Sequence, residues 1–315
     1  MTGAPILVGG EALYDLVARP DGSLDGHPGG GPFNTARTIG RLRQPVAYLG
    51  RLSTDRLGAT HARMLAEAGV DLSATQRTEE PSTLALASLD DTGAASYSFY
   101  AAGTAAPGLT PAVALASLPL EVAALHVGTL GLVLEPLAAA LEAVVARLAG
   151  RTMVVVDPNC RPWVIRAPDV YRARLEHIFQ MSDLVKVSEE DLAWLDPGQP
   201  TLDAARALLS YGPKVVLLTR GPDGATLVTA SGNIPVPVVP VDVVDTIGAG
   251  DAFSGGFLAW WSSHGLGRDD LVRDGLVVEA ARFAAVVAAR TVARAGASPP
   301  LLPPDAPSPL DLRSL

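Results

Sequence analysis

Short, mostly apolar runs recur along the chain: PILVGG at 5–10, VAYLG at 46–50, ALHVG at 124–128, MVVVD at 153–157, LVKVS at 184–188 and VVLLT at 215–219. A strand with one wet face alternates apolar and polar residues, so a run without that alternation must be covered on both faces. Between the runs lie stretches with helical spacing, among them the segment after GGGPFNTARTIGRLRQ begins, 56–68 and 133–148. Strand and helix in strict turn predict an α/β chain: a mostly parallel central sheet with helices on both faces, three layers in all.

Two segments break this rhythm. Residues 11–27 and 82–100 hold strand-like stretches with no helix between them. In SYSFY, Tyr97 and Phe99 fall on one face and Ser96, Ser98 and Tyr100 on the other, as in a half-exposed antiparallel strand. These pieces are expected to form a small β-sheet lid on a single domain spanning 1–315; an ordinary surface hairpin is the plainer alternative. The stretch IPVPVVPVDVVD at 234–245 also reads as strand-like, and the proline-rich tail at 299–315 as an extended strap or a frayed end. No internal repeat is present.

Apolar residues make up 48% of the chain and charged ones 18%, a balance that supports a large core rather than disorder. The net charge of −9, with no cluster of lysine or arginine, argues against a nucleic acid or an anionic membrane as partner. The single cysteine, Cys160, allows no internal disulfide and no multi-cysteine metal site, and fits a small packed hydrophobe. The five histidines are scattered. The start MTGAPILVGG lacks the basic region and cleavage site of a signal peptide, and the apolar stretch 276–289 carries Glu279 and Arg282. A cytoplasmic location is expected.

The chemistry is concentrated in DTIGAGDAFSGGF at 245–257, directly before an apolar helical run. Gly248, Ala249 and Gly250 leave backbone N–H groups uncovered at a helix start, where the helix dipole favours an anion. An acid in that nest, Asp251, repels a resting anion but serves well as the base for a hydroxyl that attacks a phosphorus held by the same donors. Taken alone, the stretch fits an N-capping aspartate in a glycine turn equally well. Other nucleotide motifs fail. The only lysines, Lys186 and Lys214, do not follow a glycine-rich loop, and Phe253 occupies the last glycine position of G-x-G-x-x-G.

Together with GGGPFNTARTIGRL at 29–42, this stretch resembles the two signatures of the ribokinase-like (PfkB-type) carbohydrate kinases, in the order that family uses. GEALYDLV, GTLGLVLEP and DPNCRPW look most like its fructokinase branch. The resemblance covers the chain from residue 5 to about 304 and implies a ribokinase-like fold and an ATP-dependent sugar kinase. It makes Asp251 the catalytic base and the N–H groups of Gly248, Ala249 and Gly250 the anion hole. It assigns the sugar to Gly30, Gly31 and Asn34, to Asp15, to Tyr97 and Phe99 of the lid, and to Asn159 and Arg161. On the nucleotide side it implies Lys186, Ser188, Thr219, Gly221 and Gly224, with Ala285 and Ala289 walling the adenine. Many members carry Asn-x-x-Glu where this chain has Ser188 and Asp191, so magnesium falls to Asp191 or Glu190. Asp245 and Gly296 correspond to a monovalent-cation site for K+, though a serine of that site is replaced by Pro300. Relatives often pair through the lid, which implies a homodimer.

Within this reading the expected substrate is fructose, giving fructose 6-phosphate. The nearest alternative, 2-keto-3-deoxygluconate, bears a carboxylate that calls for a further cation near the lid, where the chain offers Ala101 and Ala102. A different class of function is a non-catalytic sugar- or nucleotide-binding regulator. Loss of the base would mark such a protein, and Asp251 is present.

Overall fold

In the computed structural model, which describes residues 3–19, 21–89, 95–303, 305–313 and 315, each apolar run becomes a buried strand. The chain runs through β1 (Ile6–Gly9), β2 (Leu13–Ala18), β3 (Leu24–Gly29), α1 (Gly31–Arg41), β4 (Val46–Leu49), β5 (Arg51–Ser53), α2 (Arg56–Glu67), β6 (Gln76–Thr78), β7 (Leu84–Leu89) and β8 (Ala95–Tyr100). It continues through α3 (Pro111–Ala116), β9 (Ala124–Gly128), α4 (Leu137–Leu148), β10 (Met153–Asp157), α5 (Pro168–Gln180), β11 (Leu184–Ser188) and α6 (Glu189–Leu195). The last part holds α7 (Thr201–Leu208), β12 (Val215–Thr219), β13 (Ala225–Thr229), β14 (Gly232–Val236), α8 (Ala249–Ser263) and α9 (Asp274–Val292).

The central sheet has eight strands in the order β14-β13-β12-β11-β10-β9-β1-β4. From β4 across to β12 neighbouring strands are parallel, while β13 and β14 fold back antiparallel at one edge. Successive side chains of each strand enter opposite cores. Ile6, Val8, Val155 and Leu217 pack with Phe33 and Ile39 of α1, Phe257 and Trp261 of α8, and Phe283 of α9. Leu7, Leu125, Val154 and Val185 pack on the other face with Leu141 and Val144 of α4 and Leu175 and Ile178 of α5. Each such side chain contributes about 1.5–3 kcal/mol by leaving water, which is why the strands carry no polar alternation. The chain leaves β1 toward β4 on one side and toward β9 on the other. Ligands of α/β sheets bind at such a reversal, beyond the carboxyl ends of the strands.

The irregular segments form a second, four-stranded sheet in the order β3-β2-β7-β8. Its β2–β3 and β7–β8 pairs are antiparallel and its central β2–β7 pair is parallel. Phe99 turns inward against the Trp163 ring, centroids 6.1 Å apart, while Ser98 and Tyr100 are exposed, as their alternation requires. The Tyr97 side chain lies outside the described residues.

Two details differ from the sequence reading, each for a local reason, and a third is decided between its two alternatives. The helix expected over 133–148 begins only at Leu137, because Pro136 occupies its N-cap position. Of the strand-like 234–245 stretch, only the part up to Val236 pairs, as the end of β14. Beyond it Pro237 and Pro240 supply no N–H to a ladder, and Val238, Val241, Val243 and Val244 stand exposed. The tail is a strap rather than a frayed end: Leu302 N–H donates to the Arg41 carbonyl at 3.0 Å and Leu310 N–H to Ser263 Oγ at 3.1 Å, with both leucine side chains buried. Among the described residues no helix is long and apolar enough to cross a membrane.

Because Leu310 completes the core under α8, Leu310→Ala is expected to lower the unfolding free energy by at least about 2 kcal/mol in urea titration. A midpoint equal to that of the parent chain would show the strap to be dispensable.

Candidate active site

The site is built where α1 and α8 start side by side above the strand ends. Gly248, in the left-handed conformation (φ 76°), caps α8 without a side chain. The Ala249 N–H turns back to the Thr246 carbonyl at 3.2 Å, so that donor is already engaged. Among the described residues the N–H groups of Gly250 and Asp251 have no acceptor, and these are the donors that a helix N-terminus offers to an anion.

Asp251 is half-buried one residue further into the helix. Asn34 Nδ2 donates to its Oδ2 at 2.9 Å, and Thr35 Oγ1 donates to its backbone carbonyl at 3.3 Å, tying α1 to α8. Burial drives the Asp251 carboxyl up to about 7, and the charge of Asp157 adds to the rise. The Asn34 hydrogen bond, Lys186 and Arg161 oppose it. The group therefore gains and loses its proton near neutrality, which suits a general base.

Beneath the helix start, Lys186 is buried and donates from Nζ to Asp157 Oδ2 at 2.6 Å. A methyl group built on Gly250 would lie 3.2 Å from that Nζ, so the ammonium sits against the backbone of the anion-binding turn. Burial alone lowers the lysine's pKa, but the charge and hydrogen bond of Asp157, joined by Asp191 and Asp251, raise it above the ordinary value. The lysine is thus a fixed cation. His126 on β9, separated from the lysine's strand by β10, is buried, and burial together with the Lys186 charge holds it down to about 3, hence neutral. Among the described residues neither its ring nitrogens nor Asp157 Oδ1 has a hydrogen-bond partner, leaving polar capacity beneath the site for water or a ligand atom.

The glycine turn faces the same carboxylate. Gly30 holds φ 109°, and a Cβ there would lie 2.6 Å from the Glu11 carbonyl. A Cβ on Gly31 would lie 2.4 Å from Thr129 Cγ2 and 3.2 Å from Asp251 Oδ1, so only glycine lets this backbone approach the base. Asp15 on β2 is half-buried, and burial pushes its carboxyl up to about 6 against the pull of His27 and Arg161. Arg161 lowers the pKa of both Asp15 and Asp251, which makes it the cation common to the lid and the base. Asn159, with φ 37°, is one of the few non-glycine residues in the left-handed region and forms the bend that carries the chain from β10 to Arg161.

On the far side, Thr219 ends β12, with its hydroxyl donating to the Val187 carbonyl at 3.2 Å. Gly221 (φ 52°) and Gly224 (φ 83°) shape the turn into β13. Ala285 and Ala289 lie one turn apart on α9, the first half-buried and the second buried. Ser188 and Asp191 form a capping box at the start of α6: Ser188 N–H and Oγ both donate to Asp191 Oδ2 at 2.8 Å. The other Asp191 oxygen accepts from Cys160 N–H at 2.6 Å. Its carboxylate is consumed by the fold, whereas Glu190 is exposed. Asp245 and Gly296 meet directly, Gly296 N–H donating to Asp245 Oδ2 at 2.8 Å, and Ile247 N–H takes the other oxygen at 2.9 Å. Among the described residues no three His, Cys, Asp or Glu side chains converge as a metal cage.

Three residues central to this geometry were not singled out in the sequence: Glu11, Thr129 and Asp157. The acid that closes an otherwise apolar strand, MVVVD, was the available signal for Asp157. Glu11 and Thr129 stand in the family-like stretches GEALYDLV and GTLGLVLEP, but neither stretch shows that they meet, because that depends on β1 pairing with β9.

A parallel sheet with a lid, and with a carboxylate at a helix N-terminus facing a glycine turn at the strand reversal, is the ribokinase-like arrangement. The chain belongs to the pfkB family of carbohydrate kinases, whose family model matches residues 5–304. It is 38% identical to a fructokinase of Rhizobium leguminosarum bv. trifolii over 81% of this chain and 78% of that one. It is 33% identical to a fructokinase of Klebsiella pneumoniae over 83% of this chain and 85% of that one. Among solved structures, a fructokinase from Xylella fastidiosa with bound ATP superposes with a TM-score of 0.83 at 27% identity, covering 93% of both chains. A double mutant of the Vibrio cholerae fructokinase, bound to fructose, ADP and a potassium ion, gives 0.81 at 26% identity over 93% of this chain and 94% of that one.

With its pKa raised to about 7, Asp251 is protonated below that pH and able to accept a proton above it, as the base role expected of it requires. The turnover rate is therefore expected to fall as pH drops through about 7 and to level off on the alkaline side. Asp251→Asn should reduce turnover by about 100- to 10,000-fold while leaving ATP affinity largely intact. A variant turning over near the parent rate would remove Asp251 from the base role.

Proposed function

We propose that this carbohydrate kinase transfers the γ-phosphoryl group of ATP to the primary 6-hydroxyl of fructose. The observation that carries the reading is the placement of Asp251 between the Gly30–Gly31 turn and the free N–H groups of the α8 start, with Asn34 fixing its carboxylate. The sugar hydroxyl lies against the turn, within reach of Asp251. As its oxygen forms the new bond to the γ-phosphorus, Asp251 takes the hydroxyl proton, and the bond from that phosphorus to the bridging oxygen breaks with its electron pair leaving on ADP. The open N–H groups of Gly250 and Asp251 and the ammonium of Lys186 balance the charge on the moving group. Asp15, Asn34, Asn159 and Arg161 hold the sugar, with Phe99 closing over it from the lid. Thr219, Gly221, Gly224, Ala285 and Ala289 bound the nucleotide, with Ser188 at the neighbouring strand end.

Magnesium supplies charge neutralisation of the β- and γ-phosphates and keeps much of its water, so it needs no protein cage. With both Asp191 oxygens engaged by N–H and O–H donors, that residue does not fit as a direct ligand; exposed Glu190 is the acid open to a water-mediated contact. Asp245 and Gly296 join two segments far apart in sequence by a hydrogen bond, a junction suited to framing a potassium site from backbone carbonyls. Fructokinases among the relatives, and structures of fructokinases with ATP or with fructose, ADP and potassium, support the substrate and cofactors. Pairing of two chains through the lid is proposed on the exposed Leu24 and Tyr100 of its edge strands.

The test is coupled ADP release with ATP and magnesium against a panel of sugars. Fructose is expected to give the highest kcat/KM. Preference for 2-keto-3-deoxygluconate would overturn the choice of substrate, and sugar-induced thermal stabilisation with no turnover would favour a binding protein. Sedimentation of the parent chain and of Leu24→Asp/Tyr100→Asp should show a dimer and a monomer respectively; a monomeric parent chain would dismiss the lid interface.

A further inference from the structure

Glu11 is a buried carboxylate that the transfer reaction does not use. It lies between β1 and β2, where the chain leaves the central sheet for the lid. Its Oε1 accepts from the Thr129 hydroxyl and from Gly31 N–H at 3.3 Å, and its Oε2 accepts from Gly131 N–H at 2.7 Å. Gly31 is where the chain returns from β3 of the lid into α1. Thr129 and Gly131 follow β9, the strand paired beside β1. One carboxylate thus ties together the departure to the lid, the return from it and the adjacent strand end.

The partner is itself held in an unfavourable state. Thr129 has φ 55°, in the left-handed region that a β-branched residue rarely adopts. Such a conformation costs on the order of 1–3 kcal/mol and persists only where the surroundings fix it, commonly at functional sites. Its Cγ2 leaves no room for a side chain on Gly31, and that same Gly31 backbone borders Asp251 Oδ1. The contacts run in series: Glu11 to Thr129 and Gly31, then Gly31 to the catalytic carboxylate.

We propose that Glu11 is a positioning residue that latches both stalks of the lid to the end of β9, through Thr129 and Gly31, and so holds the sugar-binding turn at a fixed separation from Asp251. It touches neither substrate. The latch sets how well the acceptor sugar is seated, while the nucleotide side, built from β12, β13 and α9, does not share its contacts. Burial also pushes the Glu11 carboxyl up to about 7, with the nearby Asp251 charge adding to the rise. The Thr129 hydroxyl and the Gly131 N–H oppose that rise, and all three partners are donors, an arrangement that fits the ionised carboxylate.

The proposal rests on membership of the carbohydrate kinases and not on fructose as the substrate, so it is tested with whichever panel sugar the parent chain phosphorylates best. A parent chain inert toward every sugar would count against the kinase reading and the latch together, whereas an active parent isolates the latch. In Glu11→Gln and in Thr129→Val, KM for the sugar is expected to rise about tenfold or more, the size of one lost charge-assisted hydrogen bond, with KM for ATP within about twofold. The double variant should be no worse than Glu11→Gln alone, and Thr129→Ser, which keeps the hydroxyl, should recover most of the sugar affinity. Thr129→Val leaves the carboxylate in place and keeps the experiment decisive if Glu11→Gln fails to fold. Equal rises in both KM values, or additive losses in the double variant, would overturn the latch.

Discussion

The contact on which the molecule's chemistry depends is the 2.9 Å hydrogen bond from Asn34 to Asp251, between side chains 217 residues apart in sequence. A carboxylate withdrawn from water is costly unless it is paired or gives up its charge. Here the two tendencies are balanced: burial pushes the group up, and Asn34, Lys186 and Arg161 pull it back to a value near neutrality. That balance holds only while α1 and α8 keep their registry. Their registry is secured by packing: Phe33 and Ile39 of one helix and Phe257 and Trp261 of the other share a single core over the sheet. Core packing therefore sets the protonation behaviour of a residue that belongs to no core.

The Lys186–Asp157 pair presents the complementary case. A buried ion pair is weak evidence for stability, because removing two ions from water offsets most of their attraction. Retaining one directly against the backbone of an anion-binding turn makes sense as function: the lysine supplies charge that need not be recruited from solvent when a phosphoryl group moves. The capping box at α6 sharpens this. Where an acid free to meet a metal is expected, Asp191 is spent on Ser188 and Cys160. With Asp191 so engaged, Lys186 is the buried cation set against the turn at the α8 start.

The sheet was legible because strands buried on both faces lose their polar alternation, and MVVVD or VVLLT admit few other readings. Asp251, Asn34 and the glycine turn were legible because each lies in a dense local pattern whose spacing reflects one backbone geometry. Glu11 and Thr129 lie in family-like stretches, GEALYDLV and GTLGLVLEP, but 118 residues apart, and the stretches show nothing of their contact. A glutamate after an apolar run looks the same whether it faces water or three donors, and only the pairing of β1 with β9 decides between them. The valine-rich stretch from Val236 to Val244 misled in the opposite direction. Its β-branched side chains fit a strand, but two prolines remove ladder donors and the chain leaves the sheet. Asp191 shows a third limit, since the same spacing suits a metal ligand and a helix cap.

The charge within the cleft bears on which acceptor fits. Asp15, Glu11 and Asp251 are all carboxyls pushed upward by burial, to about 6, 7 and 7. A cleft that already raises its own acids is a poor place for another carboxylate, because each added negative charge shifts these groups further toward the protonated form. For Asp251 that shift removes the base. The nearby cations already enter that balance: Lys186 is paired with Asp157, and the charge of exposed Arg161 lowers both Asp15 and Asp251. An acidic sugar would have to draw Arg161 away and leave both carboxyls less well balanced. A neutral polyol asks only for hydrogen bonds, which Asp15 and Asn34 supply. The electrostatics of the base and the choice of substrate are thus the same constraint, seen from the two sides of one proton transfer.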